Sequence, residues 1–208
     1  ASDARVAGML SGKSGVVVTH MGEGKGRLKP IRDVLENWDL PMKTFIPTHV
    51  NRNDDLLKEA LDYARQGGTI DLTCGIYDER TPGKVVAEAL KNGVPAENIT
   101  ISSDGYGSWS KYDEKGNLLK IGVSSVSSLY NELVRTVKDG ILSLEDALPF
   151  FTTNVARALG LDRSKGKIEK DMDADMLILD DDLILDYVIA RGQVMMKEGQ
   201  VVVRGTYE

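Results

Sequence analysis

The chain has 208 residues, of which 41% are hydrophobic, 28% charged and 6% aromatic. That balance is typical of a globular protein with a sizeable core, and it excludes a collagen, a coiled coil and a low-complexity disordered chain. The charge sum of 26 basic and 32 acidic residues is −6, which argues against a nucleic-acid partner. No apolar run approaches the roughly 20 residues that span a bilayer, so no membrane partner is expected. The single cysteine, Cys74, cannot form a disulfide within the chain, and we expect a cytoplasmic protein.

Short β-branched runs alternate with amphipathic segments over the first three quarters of the chain. The pattern predicts strands over 15–20, 43–50, 69–73 and 98–104, and helices over 28–37, 54–66, 83–92, 124–138 and 143–160. The first run is expected to be a fully buried strand, because parallel strands are apolar on both faces. Asn53 and Ser143 stand where helix caps are expected. Four strand–helix units in succession predict parallel strands joined by right-handed crossovers.

The remaining segments have the pattern of antiparallel strands. Residues 105–121 interrupt the alternation and predict a hairpin loop with its turn at 115–117. After about residue 161 the helical period disappears, and short strands are predicted over 173–180, 183–190 and 193–204 with glycines at the turns. We therefore divide the chain into an α/β unit over 1–161 and a small β domain over 162–208.

Four parallel strands with their helices fit two architectures. They are either half of an eight-stranded (β/α)8 barrel of the TIM type or an open doubly wound sheet. A half barrel alone has two unpaired edges and an exposed inner face, so another segment would have to complete it. The chain also opens on Ala1 without an initiator methionine or a signal peptide, and one interpretation is a trimmed or truncated chain.

Candidate metal ligands stand at the carboxyl ends of three predicted strands. His20 and His49, the only two histidines, end the first and second strands, and Asp104 ends the fourth. Active sites of α/β folds lie at this end of the strands. Imidazole and carboxylate groups are ligands that Zn²⁺ accepts. A single histidine at a strand end is usually an ordinary structural residue, but this arrangement of three favours a metal hydrolase.

Several segments are similar to a known family. The motifs Val-Thr-His-Met-Gly, Pro-Thr-His-Val-Asn-Arg-Asn, Gly-Gly-Thr-Ile-Asp and Ser-Ser-Asp-Gly-Tyr-Gly-Ser stand at 18–22, 47–53, 67–71 and 102–108. They resemble the isoaspartyl dipeptidases of the amidohydrolase superfamily, and the second motif is the most specific. Segments 153–161 and 173–180 resemble the closing signature of the superfamily as a whole.

The resemblance implies a fold and a site. The fold is a (β/α)8 barrel that holds two zinc ions bridged by a carboxylated lysine. His20 and His49 match the histidines that hold one zinc, and Asp104 matches the aspartate that ligates the other and acts as general base. Arg52 matches an arginine that binds a substrate carboxylate, and Ser108 matches a further substrate contact.

Other features of the family are missing from this sequence. It contains no His-x-His motif, and the bridging lysine is expected upstream of residue 1. The resemblance therefore implies that 1–161 holds strands five to eight of the barrel and that 162–208 is the carboxyl-terminal part of the small β domain. The missing amino-terminal half would be a partner, and the fragment alone is expected to be inactive. The family also implies a homo-oligomer.

The function implied is the zinc-dependent hydrolysis of the β-aspartyl amide bond of isoaspartyl dipeptides, by a longer enzyme that includes this chain. Two alternatives remain open: another amidohydrolase, such as a dihydroorotase-like enzyme or a deacetylase, and a non-catalytic scaffold of the same fold. Arg52 in its Asn-Arg-Asn setting argues against the first alternative. The presence of His20, His49 and Asp104 argues against the second, because a scaffold does not need metal ligands.

Overall fold

Helices and parallel strands alternate along the first part of the chain in the computed structural model, which describes residues 1–75, 80–113 and 115–205. The helices in these ranges are α1 (Ser2–Ser11), α2 (Lys29–Asn37), α3 (Asp54–Arg65), α4 (Pro82–Lys91), α5 (Ser128–Lys138), α6 (Leu144–Phe151) and α7 (Thr153–Ala158). The strands are β1 (Val17–His20), β2 (Phe45–Thr48), β3 (Ile70–Thr73), β4 (Ile99–Ser102), β5 (Ser108–Tyr112), β6 (Leu118–Val123), β7 (Met176–Leu179), β8 (Leu185–Ala190), β9 (Gln193–Lys197) and β10 (Gln200–Val201). None of the helices in these ranges is long and apolar enough to cross a membrane.

The first four strands are parallel, as the sequence predicts. β1 pairs with β2 and β3 pairs with β4, each in parallel register. β2 lies beside β3, so the strands follow one another in chain order. A doubly wound sheet reverses its strand order at a switch point, whereas strands in a (β/α) barrel stay in sequence. Within the described ranges the four strands form an open array rather than a closed barrel.

The core lies between these strands and the helices packed on them. β2 and β3 are buried at every position, which agrees with strands covered on both faces. The largest fully buried apolar side chains come from strands, helices and the segments next to them: Leu28, Val50, Leu56, Tyr63, Ile70, Leu72, Val86, Ile99 and Phe150. The Tyr63 hydroxyl donates to the carbonyl of Met42 at 2.8 Å, so this aromatic ring is buried without an unpaired polar atom.

Side chains replace the backbone ladder between β2 and β3. The amide nitrogen of Asn51 donates to the carbonyl of Thr73 at 3.0 Å, and the amide oxygen accepts from the Thr73 backbone N–H at 3.0 Å. Asn51 thus offers β3 one donor and one acceptor, as a residue of a neighbouring strand would. A second link is the Thr48 hydroxyl, which donates to Asp71 at 2.6 Å. The two pairs of strands are therefore joined by polar side chains.

Asp71 extends this link to the fourth strand. Its carboxylate accepts hydrogen bonds from Thr48 at 2.6 Å, from Ser102 at 2.6 Å and from Thr100 at 2.8 Å. Burial raises the pKa of Asp71, and the three hydroxyl donors oppose that shift because they stabilise the carboxylate. One carboxylate thus connects β2, β3 and β4 in the interior.

The predicted helix caps and hairpin are confirmed, but several predicted boundaries are wrong. Asn53 accepts from the Leu56 N–H at 2.9 Å, and Ser143 accepts from the Asp146 N–H at 3.1 Å. The predicted helix over 143–160 is two helices, because Thr152 adopts φ −131° and ψ −86°, which lie outside the helical region. The predicted helix over 124–138 begins only at residue 128.

The first strand was also wrongly predicted to be fully buried. Residues of β1 alternate between half-buried and exposed, and Val18 is 48% exposed. The reason is that β1 pairs only with β2 among the described residues, so its other edge and one face lack a neighbour. Helix α1 was not predicted at all. Its only buried residue is Gly8, so its sequence carries little amphipathic signal.

The last strands form a separate antiparallel sheet in the order β10-β9-β8-β7. This agrees with the predicted change of character after residue 161. The Tyr130 hydroxyl of α5 donates to the carbonyl of Leu183 at 2.5 Å, which attaches the sheet to the α/β unit. The division into 1–161 and 162–208 stays a prediction.

Removing the Asn51 side chain should destabilise the fold strongly. Asn51→Ala leaves the buried N–H and C=O of Thr73 without partners, and each unpaired group costs about 1–3 kcal/mol. We expect the free energy of unfolding to fall by about 2–6 kcal/mol in urea denaturation of the full-length protein. Asn37→Ala is the matched control, because Asn37 is exposed and, among the described residues, its side chain bonds only to the carbonyl of Asp33 in its own helix. Equal losses for both variants would show that Asn51 does not join the strands.

Candidate metal centre

Three side chains meet where the parallel strands end. His20 is the last residue of β1, His49 follows β2 directly, and Asp104 lies two residues beyond β4. The ligand atoms of the three all lie within 4.8 Å of one another. His49 Nε2 is 3.1 Å from His20 Nδ1, and the two rings meet edge to face with centroids 5.0 Å apart. The structure thus brings together the three residues that the sequence predicts as metal ligands.

Two of the three adopt a left-handed backbone conformation. His49 has φ 63° and Asp104 has φ 49°. In an extended strand, consecutive side chains point to opposite faces. Thr48 and His49 nevertheless both reach the same face of β3, where they contact Asp71 and Thr73 respectively. The left-handed turn at His49 makes this possible, and it is a local strain of the kind found at functional sites.

His49 is held in a buried, polar environment. The residue is 5% exposed, and its Nδ1 lies 2.7 Å from the hydroxyl oxygen of Thr73. Burial lowers the pKa of His49, the charge of Asp104 opposes that shift, and the charges of Arg52 and His20 add to it. His49 is therefore neutral at neutral pH, which is the form of histidine that binds metals.

Asp104 is positioned by a tight loop. The N–H of Gly107 donates to the Asp104 carbonyl at 2.8 Å. A Cβ added at Gly107 would lie 2.6 Å from one carboxylate oxygen of Asp104 and 2.7 Å from the other. Such a contact is too close for any side chain, so the loop needs glycine at 107 to leave room for the carboxylate.

Arg52 lies beside the three ligands. It ends a single 3-10 turn over Val50–Arg52, and its charge is close enough to affect the pKa of His49. Among the described residues its Nε is buried without a hydrogen-bond partner. Glu23 is its ion-pair partner in this part of the chain, but the two groups are 4.0 Å apart, which is beyond hydrogen-bond length. Arg52 thus has donors available for another group.

The structure does not connect Ser108 with the three ligands. Ser108 begins β5 and is exposed, and within the described ranges its side chain makes no hydrogen bond. It stands four positions after Asp104 in the same loop-and-hairpin segment. Its role as a substrate contact stays a prediction.

The geometry fits a zinc ion. Zinc–nitrogen bonds of 2.0–2.1 Å in a tetrahedral site place two ligand nitrogens about 3.3 Å apart. The nitrogens of His20 and His49 that face each other are 3.1 Å apart, which is close to that spacing. Imidazole and carboxylate groups, which the three residues offer, are both ligands that zinc accepts.

Sequence reasoning missed the groups that support these ligands. Asp71 and Thr73 are both buried residues of β3, and Asn51 follows His49 by two residues. A signal was present, because Thr69, Asp71 and Thr73 are polar residues at every second position of a buried strand. Polar side chains on one face of such a strand must find partners.

Comparison with known proteins places the chain in a family. The sequence profile of the amidohydrolase family matches residues 78–205, which is more than half of the chain, so the chain belongs to this family. Asp104 and Ser108 lie inside the matched segment, and His20, His49 and Arg52 lie before it. The predicted superfamily is confirmed.

Solved structures narrow the similarity. The chain is 38% identical to a β-aspartyl dipeptidase from Fervidobacterium islandicum AW-1 in complex with β-Asp-Leu, with a TM-score of 0.89, over 99% of this chain and 54% of that one. A second structure of a β-aspartyl dipeptidase from this organism is 34% identical, with a TM-score of 0.83. The match covers 99% of this chain and 52% of that one. The chain thus spans about half the length of these relatives. An amidohydrolase from Thermotoga maritima MSB8 is 19% identical with a TM-score of 0.62, and the match covers 93% of this chain and 46% of that one. At this identity the similarity is one of fold alone.

The buried position of His49 predicts a pH dependence of stability. The pKa of His49 is lowered in the folded protein, so the unfolded chain takes up the proton first as the pH falls below about 6.5. The stability contributed by neutral His49 is present above that pH and is lost as the pH falls from it toward the folded pKa. We expect the Tm of the metal-free protein to fall between pH 8 and pH 5, and the fall to be smaller in His49→Asn. Asparagine tolerates the left-handed conformation, so the backbone is preserved. Parallel Tm curves for the two proteins would contradict this origin.

Proposed function

We propose that this chain is part of a zinc-dependent enzyme that hydrolyses the β-aspartyl, or isoaspartyl, amide bond of dipeptides. The observation that carries the proposal is the meeting of His20, His49 and Asp104 at the ends of parallel strands, with Arg52 beside them. The similarity to a dipeptidase that was crystallised with β-Asp-Leu supports the choice of substrate. The experiment that tests the proposal is an assay of the full-length protein with β-Asp-Leu, with and without added zinc.

The chain is, in this proposal, the carboxyl-terminal half of a (β/α)8 barrel with the end of a small β domain. Residues 1–161 would hold strands five to eight, and 162–208 would be the carboxyl-terminal part of the β domain. The sequential order of the strands and the unpaired outer edge of β1 in the described ranges support this. So does the share of the dipeptidase that the chain covers, 54%. The amino-terminal half would supply the His-x-His motif and the carboxylated lysine between two zinc ions.

The residues of this chain would share the chemistry as follows. His20 and His49 would hold one zinc through neutral imidazoles, and Asp104 would be a ligand of the other. Bound zinc polarises a carbonyl group and lowers the pKa of water. Asp104 takes the proton from the attacking water and passes it to the leaving amine, as a general base and then a general acid. The fragment alone would be inactive, because it offers too few ligands for two ions.

Arg52 would bind a carboxylate of the substrate. A guanidinium offers a planar fork of N–H donors that matches a carboxylate, and the Nε of Arg52 has no partner among the described residues. A dipeptide with a β-aspartyl linkage has a carboxylate close to the scissile amide bond. An amidohydrolase for a neutral substrate has no such group to bind, so Arg52 favours a dipeptidase over amidohydrolases of neutral substrates. The Ser108 contact, the homo-oligomer and the cytoplasmic location stay predictions.

Asp104→Asn should abolish most of the activity. The substitution keeps the size of the side chain and one oxygen atom but removes the proton acceptor. A general base contributes about 10² to 10⁴-fold, so we expect kcat on β-Asp-Leu to fall at least about a hundredfold. Asp139→Asn is the control, because Asp139 is exposed at the end of α5. A near-normal kcat in Asp104→Asn would remove Asp104 from the mechanism.

Arg52→Met should reduce kcat/KM in a way that depends on substrate charge. Hydrogen bonds to charged groups contribute about 1.5–3 kcal/mol each, so we expect kcat/KM on β-Asp-Leu to fall by about one to three orders of magnitude. Arg52→Lys should recover only part of the loss, because lysine offers a point charge instead of a fork. The loss should be smaller for a substrate whose matching carboxylate is amidated.

The controls for this prediction are a second arginine and a second substrate. Arg163→Met changes an exposed arginine of the chain and should leave kcat/KM unchanged. If Arg52→Met reduces kcat/KM equally for the acid and the amide, Arg52 does not bind the carboxylate. The choice of a dipeptidase over another amidohydrolase would then lose its main support.

A further inference from the structure

We propose that the Thr73 hydroxyl positions His49 for metal binding by accepting the ring proton that zinc binding requires on Nδ1. The inference rests on the proposed zinc site, and Thr73 itself touches neither metal nor substrate. It would act only through His49, so Thr73 is a positioning residue. Neither the similarity in sequence nor the three ligands themselves point to it.

Three side chains form a continuous polar chain. Thr73 Oγ1 lies 2.7 Å from His49 Nδ1, and His49 Nε2 lies 3.1 Å from His20 Nδ1. Thr73 has no exposed surface and His49 is 5% exposed, so water does not provide alternative partners for the first of these contacts. Both ring nitrogens of His49 are therefore committed: Nδ1 faces Thr73, and Nε2 faces His20.

The two nitrogens that would bind the ion determine which nitrogen of His49 carries the proton. An ion held between His49 Nε2 and His20 Nδ1 needs a lone pair from each of them. A neutral imidazole carries one N–H, so the proton of His49 must then sit on Nδ1. Thr73 Oγ1 is the atom within hydrogen-bond distance of Nδ1 and has lone pairs to accept it. A hydroxyl can also donate to Nδ1, so the same contact suits His49 before metal binds, when Nε2–H can donate to His20.

The hydroxyl can do this because its backbone is fixed. Asn51 donates to the Thr73 carbonyl and accepts from the Thr73 N–H, both at 3.0 Å. Asn51 lies two residues after His49, so one short segment holds both parts of Thr73. His49 contacts the Thr73 hydroxyl, and Asn51 bonds to the Thr73 backbone. Rotation of the His49 ring would break the 2.7 Å contact, and displacement of Thr73 would break the two bonds to Asn51. Thr73 therefore fixes the orientation of the ring, and its hydroxyl can accept the Nδ1 proton when a metal occupies Nε2.

Thr100 distinguishes this role from a purely structural one. It is a buried threonine on the adjacent strand, with its hydroxyl 2.8 Å from Asp71 and 3.1 Å from the Ile70 carbonyl. It contacts neither histidine. Thr73→Val and Thr100→Val remove the same atom from similar surroundings. If the Thr73 hydroxyl only stabilises the fold, the two variants should behave alike toward zinc.

The test is a zinc titration of the full-length protein in competition with a chelator, at one pH. Loss of a partner that orients a metal-binding histidine lowers metal affinity by about 10–100-fold, and we expect a loss of about this size for Thr73→Val. Thr73→Ser, which keeps the hydroxyl, should restore most of the affinity. Thr100→Val should bind zinc like the wild type, even if its Tm is lower. Equal zinc affinity in Thr73→Val and wild type would overturn the inference.

A second measurement does not depend on the folding of a variant. In the zinc-loaded wild type, ¹⁵N NMR of the imidazoles should show His49 protonated at Nδ1 and metal-bound at Nε2. Zinc bound to His49 at Nδ1 would overturn the inference and leave the zinc site in place. A wild-type protein that binds no zinc would instead overturn the proposed function, and this inference with it.

Discussion

The hydrogen bonds that side chains make between β2 and β3 are the constraint on which the site depends. Backbone ladders join β1 to β2 and β3 to β4. Across the middle, Asn51 takes the place of a strand residue, bonding to both backbone groups of Thr73. The hydrogen bond from the Thr48 hydroxyl to Asp71 adds a second, buried connection between the two strands. Because His49 stands between Thr48 and Asn51 in the sequence, the groups that join the two halves of the array also determine where the His49 side chain lies.

This arrangement lowers the stability of the fold and, in return, fixes the positions of the polar side chains. His49 and Asp104 both have positive φ, a conformation that few residues other than glycine adopt. Asp71 is a buried carboxylate with a raised pKa, so the fold keeps it in place against the cost of desolvation. Burying apolar residues at these positions would cost less free energy. A polar interior is expected where ligands must be oriented, because hydrogen bonds have directions and apolar contacts do not.

The sequence allowed the candidate ligands to be predicted but not the residues that hold them in place. His20, His49 and Asp104 follow from local patterns, because each ends a short apolar run and the ends of parallel strands lie together. Thr73 and Asn51 are brought together by tertiary packing, and no spacing along the chain indicates that contact. The boundaries failed for local reasons, such as the break at Thr152. The exposure of β1 agrees with the unpaired edge of a half barrel, but the prediction of a fully buried first strand did not take that edge into account.

The most direct test of the account is a crystal structure of the full-length protein with zinc, with anomalous diffraction recorded at the zinc edge. The account predicts an anomalous peak at bonding distance from both His20 Nδ1 and His49 Nε2, about 2.0–2.1 Å from each. It also predicts a second peak beside Asp104. A map with no peak between the two histidines, and with their nitrogens still in direct contact, would contradict the assignment of these residues as metal ligands.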